Sequence, residues 1–295
     1  MSEVFNGVIA PVVTPFDSQG ELAVETIADS VEFTLECGCH GIVAAGTGVQ
    51  ETATLTPAER KTVITETIKA VDGRTRVMAG VSYPAQPVVN DLIEHAENEG
   101  ADGVLAMPPW GVPPSRKANI RYYKHIADQT DLPVLVYNNP AVTVDMAKET
   151  ILEIAKIDGI DYIKESSRDW DKLAWEFERI QHAGHAEMLS TMDVLLPTLM
   201  TGGKGIVISA PLTVPSMQIY EAYEAGDLNT AVELQRTFGT FPPDEADAGL
   251  TAVCKAATEL AGVDVGPPRQ PYDAIGETGR EAIDEWMDEM GIPRM

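Results

Sequence analysis

The feature that most restricts what this chain can fold into is an alternation. Apolar runs of strand length recur at residues 7–13, 41–45, 76–80, 102–106, 133–137, 160–164, 187–189 and 205–209. Helical spacing of apolar positions fills the intervals, at 24–36, 56–71, 87–98, 115–128, 145–156 and 169–181, then up to 201 and up to about 225. Thr56-Pro57-Ala58-Glu59 combines a capping box with proline at the first helical position, and Ser115 and Asp145 stand where caps are needed. Eight strand and helix pairs with short connections are the pattern of an α/β chain closed into a (β/α)8 (TIM) barrel. From residue 227 no strand is signalled. Three helices are expected at 229–238, 244–261 and 278–290, the last opened by a capping box at Thr278 and Glu281. The reading is a barrel over residues 1–226 with a helical extension, 227–295, packed on it without a linker.

Composition narrows the function classes. A net charge of −25 lacks the basic face that nucleic acid or an anionic membrane surface would require. No apolar run reaches the length of a membrane span, and residues 1–6 lack the pattern of a signal peptide, so a cytoplasmic location is expected. Cys37, Cys39 and Cys254 have no framework spacing and read as free thiols in a reducing compartment. Cys37-Gly38-Cys39-His40 lacks the second half of any zinc site, and Gly38 reads as a residue just past a helix end. None of the five histidines ends a strand, so no imidazole metal ligand is expected there.

In such a barrel the active site is built at the carboxyl ends of the strands. The second strand is followed by Gly46-Thr47-Gly48-Val49-Gln50-Glu51 and the fourth by Pro108-Pro109-Trp110. The fifth ends in Tyr137-Asn138-Asn139-Pro140, the sixth in Lys164. A lysine closing a doubly buried strand either snorkels to water, pairs with an acid such as Glu165, or acts as an amine whose charge is suppressed so that it attacks a carbonyl. Tyr137 on the neighbouring strand offers a phenol that can donate, accept and relay a proton to a hydroxyl such as that of Thr47. Glycines 46 and 48 let backbone N–H groups approach a carboxylate. Gly202-Gly203-Lys204-Gly205 precedes its strand and reads as a turn on the opposite face.

With these residues in view, the chain resembles the dihydrodipicolinate synthase and N-acetylneuraminate lyase family of class I aldolases over nearly its whole length. The strings that carry the likeness are Pro11-Val12-Val13-Thr14-Pro15-Phe16, Gly46-Thr47 with Glu51 to Leu55, Tyr137-Asn138-Asn139-Pro140, Ile163-Lys164-Glu165-Ser166-Ser167, Gly202 to Ile206 and Gly266-Pro267-Pro268-Arg269. The resemblance implies a cofactor-free enzyme with a covalent imine between Lys164 and pyruvate or another 2-oxo acid. Tyr137 would shuttle the proton and Thr47 would join its relay. Gly46, Gly48, Val49, Trp110, Val142, Ser166 and Ile208 would line the substrate. A homotetramer is implied, with an aromatic residue after the fourth strand able to reach a neighbouring site.

Three departures set the expected chemistry. The family's Gly-Thr-Thr-Gly-Glu is here Gly-Thr-Gly-Val-Gln-Glu, one residue longer. The aromatic pair after the fourth strand is Pro109-Trp110. Where dihydrodipicolinate synthases carry an arginine for the second substrate's carboxylate, this chain has Val142. A buried carboxylate without its cation is strongly disfavoured. The leading expectation is therefore an aldolase cleaving a 2-keto-3-deoxy sugar acid to pyruvate and an aldehyde. A dehydratase or deaminase working through the same imine follows, then a 4-hydroxy-tetrahydrodipicolinate synthase. A catalytically silent 2-oxo-acid-binding barrel is the alternative from another class. Arg168 is read as a surface residue or a contact for a distal anionic group.

Overall fold

The computed structural model describes residues 5–239, 241 and 249–295. Eight parallel strands close into one barrel in chain order: β1 (Gly7–Pro11), β2 (Gly41–Ala44), β3 (Arg76–Gly80), β4 (Gly103–Ala106), β5 (Val134–Asn138), β6 (Ile160–Glu165), β7 (Glu187–Ser190) and β8 (Gly205–Val207). Pairing of Val8 with Ile206 completes the ring. Around it run α1 (Ile27–Glu36), α2 (Pro57–Val71), α3 (Gln86–Glu99), α4 (Arg116–Ala127), α5 (Lys148–Ala155), α6 (Trp170–Glu176), α7 (Leu195–Met200) and α8 (Thr213–Glu224). A π-helical turn at Phe177–Gln181 continues α6. Among the described residues the remaining α-helices are α9 (Leu228–Phe238), α10 (Leu250–Leu260) and α11 (Glu277–Met290).

Strand periodicity of two sorts side chains into layers. Inside the barrel lie Phe5, Ile9, Val43, Met78, Leu105, Met107, Leu135, Tyr137, Tyr162, Leu189 and Val207. The alternate residues face outward, where helices cover them. One outer cluster joins β2 to β6 with α1 to α6. The other joins Val8, Ile206 and Ile208 with Leu195, Ile219, Phe238, Val253, Ile283 and Met287, so the last three helices share their apolar core with the barrel wall.

The capping expectations divide. Thr56 Oγ accepts from Glu59 N at 3.2 Å and Glu59 Oε2 accepts from Thr56 N at 2.8 Å, the reciprocal box that fixes the start of α2. Ser115 caps α4. Asp145 does not cap α5, which starts at Lys148 behind Ala147. Its carboxylate is drawn instead to Lys172 Nζ at 2.6 Å, a partner distant in sequence and stronger than a backbone N–H. Thr278 does not cap α11 either: the helix begins at Glu277 behind Gly276, one residue too early for a box at 278. The first part of the expected 244–261 helix, residues 244–248, lies outside the described residues. α1 ends at Glu36, and Gly38 follows with φ +81°, as read from sequence. All three cysteines are free thiols. Among the described residues no helix is long and apolar enough to cross a membrane.

Candidate active site

β5 and β6 deliver the central pair. Tyr137 and Lys164 are register partners, and Lys164 Nζ stands 4.1 Å from the centroid of the Tyr137 ring. Both point inward, because each lies two residues beyond an interior side chain, Leu135 and Tyr162. Lys164 is 4% exposed. Burial pushes its amine below the ordinary lysine value, opposed by the Tyr137 phenol beside it. That rules out the snorkelling reading. Glu165 does not pair with Lys164, since it is the next residue and faces the outer layer.

Outside the barrel wall the same two strands are stapled. Asn138 Nδ2 lies 3.0 and 2.9 Å from the Glu165 carboxylate oxygens and 3.0 Å from Asp145 Oδ1, while Asn138 Oδ1 accepts from Met146 N at 3.0 Å. Lys172 Nζ reaches Asp145 at 2.6 Å, Glu165 at 3.1 Å and the Met146 carbonyl at 2.9 Å. Glu176, fully buried in the same cluster, has no hydrogen-bond partner for either carboxyl oxygen among the described residues. Desolvation, and then the negative charge of Glu165, push its carboxyl up to about 9. One ammonium thus neutralises two carboxylates incompletely, and the third acid keeps its proton.

The loop after β2 is arranged by a residue whose role went unread. Gln50 is fully buried; its Oε1 accepts from Gly46 N at 2.8 Å and Thr47 N at 3.1 Å, and lies 3.4 Å from Thr47 Oγ. Its Nε2 donates to the carbonyls of Val12 (2.9 Å) and Val43 (2.8 Å), tying β1 to β2. The amides of Gly46 and Thr47 are therefore occupied and are not open to a substrate carboxylate. Thr-x-x-Gln at 47–50 is itself a capping-box pattern, so the signal was present in the chain. Glu51 follows with φ 54°, buried, 3.2 Å from Lys255 Nζ in α10, and it accepts from Arg269 N at 2.7 Å.

Gly48 touches the β5 loop: a Cβ there would lie 2.9 Å from Val142 Cγ2. Val142, 40% exposed, thus reaches across the barrel mouth to the β2 loop. Val49 is half-buried and packs against the outer cluster of the last helices. Ser166 N donates to the Asn138 carbonyl at 3.0 Å, and Ser166 Oγ is buried with no hydrogen-bond partner among the described residues. Trp110 packs edge-on against Tyr83 of its own chain with centroids 5.7 Å apart, and the fully buried Arg60 guanidinium lies 5.4 Å from its ring. Arg168, exposed with φ 59°, pairs with Asp193 through Nε at 2.6 Å.

Ile208 is not brought to the site. Its side chain lies in the outer cluster, and its N–H is taken by the Ile9 carbonyl at 2.9 Å. Val207 is the inward residue there, since it pairs with inward-facing Ile9, and a shift of one position along a strand reverses the face. Among the described residues no three His, Cys, Asp or Glu side chains converge as metal ligands.

Comparison with known proteins agrees with this geometry. The profile of the dihydrodipicolinate synthetase family matches residues 4–290. An uncharacterized DapA-like lyase of Halobacterium salinarum is 33% identical over 291 residues, 97% of this chain and 94% of its own. The 4-hydroxy-tetrahydrodipicolinate synthase of Methanoculleus marisnigri is 31% identical over 285 residues, 95% of this chain and 97% of its own. Among solved structures, YagE, a prophage protein of the dihydrodipicolinic acid synthase family from E. coli K12 in complex with pyruvate, superposes with a TM-score of 0.89 at 26% identity, covering 98% of this chain and 99% of its own. The N-acetylneuraminate lyase of Mycoplasma synoviae shares the fold, with a TM-score of 0.86 at 22% identity, covering 98% and 99%. A buried lysine facing a phenol at the mouth of a closed barrel is what a class I Schiff-base lyase needs, and by sequence and fold this chain belongs to the dihydrodipicolinate synthetase family of such enzymes.

Proposed function

We propose that this lyase forms an imine between Lys164 and the 2-oxo group of a 2-keto-3-deoxy sugar acid and cleaves it to pyruvate and an aldehyde. Attack by the neutral amine gives a carbinolamine. The Tyr137 phenol gives its proton to the departing hydroxyl, so that water and the iminium form and the phenolate remains. The phenolate then takes the proton of the C4 hydroxyl as the C3–C4 bond breaks: the hydroxyl oxygen becomes the aldehyde carbonyl, and the bond's electrons form the enamine. Returning that proton to C3 gives the pyruvyl imine, which water hydrolyses. Thr47 extends the relay. Gly48, Ser166, Trp110 and Val142 line the substrate; Val49 packs instead against the last helices, and Gly46 serves through its lack of a side chain rather than through its amide, which Gln50 holds.

The observation that carries the choice of substrate is Val142 against Gly48. An apolar side chain closes the mouth where a second anionic substrate would require a cation, whereas a sugar-acid tail of hydroxyls needs none. The competing reading, synthesis of 4-hydroxy-tetrahydrodipicolinate, draws on the names of relatives such as the M. marisnigri enzyme. Pyruvate release from a panel of 2-keto-3-deoxy sugar acids, followed with lactate dehydrogenase, separates the two. Release from at least one supports the proposal; no release, together with formation of 4-hydroxy-tetrahydrodipicolinate, overturns it.

A further inference from the structure

We propose that Asn139 is a positioning residue for the proton shuttle, holding the Tyr137 phenol in one orientation and stabilising its phenolate; this rests on the Schiff-base reading above. Asn139 Nδ2 donates to Tyr137 Oη at 2.6 Å, and Asn139 Oδ1 accepts from Ala141 N at 3.1 Å. The second contact fixes the first. A backbone N–H can only donate, so the atom facing Ala141 is the carboxamide oxygen, and the atom facing the phenol is the NH2. The phenol oxygen has one proton to give and two lone pairs to receive. With one lone pair held by Asn139, which has no acceptor free on that side, the O–H is turned away from the β5 loop and left for the reacting groups.

The same contact strengthens when the proton leaves. An N–H facing a neutral phenol oxygen becomes a charge-assisted hydrogen bond once that oxygen is anionic, roughly twice as strong. The phenolate is the species the cleavage step requires, because it receives the C4 hydroxyl proton. Asn139 also ties this group to the loop over the mouth, since its carbonyl accepts from Val142 N and Thr143 N, each at 3.0 Å. The residue therefore builds the turn that carries Val142 and orients the phenol with its side chain.

The test separates the imine equilibrium from the rate of proton transfer. Asn139→Asp keeps the acceptor for Ala141 N and with it the turn, but replaces the donor facing the phenol by an acceptor. Asn139→Leu removes both contacts. For each variant and the wild type, the pyruvyl adduct is brought to its limiting extent by prolonged incubation with pyruvate, then reduced with borohydride and measured by intact mass. Exchange of the pyruvate methyl protons in heavy water is followed by NMR. Circular dichroism confirms that each variant is folded. The expected result is an unchanged adduct in Asn139→Asp with exchange slowed about ten- to hundredfold, the scale set by losing one charge-assisted hydrogen bond. Exchange at the wild-type rate in Asn139→Asp, or adduct and exchange falling together, overturns the proposal while leaving the Schiff base standing. A wild type that forms no adduct with pyruvate overturns the Schiff-base reading itself, and this inference with it.

Discussion

Replacing Glu176 by glutamine should stabilise the protein by an amount that grows with pH. The carboxyl has an ordinary value of 4.5 and is raised to about 9 by burial and by the neighbouring Glu165 charge. Below about pH 4.5 the proton is bound in both folded and unfolded chains. Between 4.5 and 9 only the folded chain keeps it, so raising the pH favours unfolding by about 1.4 kcal/mol per pH unit. Above 9 both states are ionised and the slope vanishes. Glutamine carries no such proton, so it escapes the penalty. At about 1.4 kcal/mol per pH unit above 4.5, its advantage is about 2 kcal/mol at pH 6 and about 3 kcal/mol at pH 7. The figure at pH 7 depends only on the unfolded value, provided that the folded one lies well above 7. Urea denaturation of both proteins at pH 4.5, 6 and 7 measures the difference directly. Glu176→Met should gain roughly a further 1–3 kcal/mol at every pH, because it removes two oxygens that have no hydrogen-bond partner. A Glu176→Gln difference that is the same at pH 4.5 and pH 7 would refute the reasoning, since it would mean that the buried carboxyl is ionised in the folded state.

Lys164→Ala should abolish the borohydride-trapped pyruvyl adduct while leaving the fold intact by circular dichroism; an adduct that persists in the variant would place the imine on another lysine. Lys255→Met leaves Glu51 buried beside an apolar chain and should cost about 3–5 kcal/mol in urea denaturation at pH 7. A loss near zero there would show that the buried pair does not hold the β2 loop. Val142→Arg should place a guanidinium over Gly48 at the mouth. Inhibition by 2-oxoglutarate, whose distal carboxylate it would meet, should strengthen about tenfold, corresponding to about 1.4 kcal/mol. Unchanged inhibition constants would remove Val142 from the substrate's path.

The barrel was legible because its period is local: each strand and each helix declares itself within a dozen residues, and eight repetitions leave little choice of architecture. Lys164 and Tyr137 were legible for a related reason, since both stand one residue before the ends of strands that are adjacent in chain order, and parallel register then brings them together. What escaped reading depended on partners distant in sequence or on parity. Asp145 has the spacing of a helix cap, but Lys172, 27 residues further on, takes it. Ile208 lies one position from the inward face, an error that a strand boundary blurred by a single residue produces. Gln50 sat within a recognisable capping pattern, yet only the fold shows that its other end bridges the carbonyls of β1 and β2 and so closes off the amides of Gly46 and Thr47. Asn139 has the composition of an ordinary turn residue, and its contact with the phenol needs the turn geometry that Ala141 N supplies.

The hold of Arg269 and Lys255 on Glu51 has a consequence for the order of assembly. The barrel ring is complete once β8 pairs with β1, and its strands all lie before residue 208, whereas the helices that cover Val8 and Ile206 from outside come after them. The partners of Glu51 come later, from residues 255 and 269, so a chain emerging from the ribosome has made all eight strands before Glu51 can be paired. Recovery of secondary structure in a refolding experiment should therefore run ahead of recovery of turnover, with the interval between them set by the docking of the last three helices.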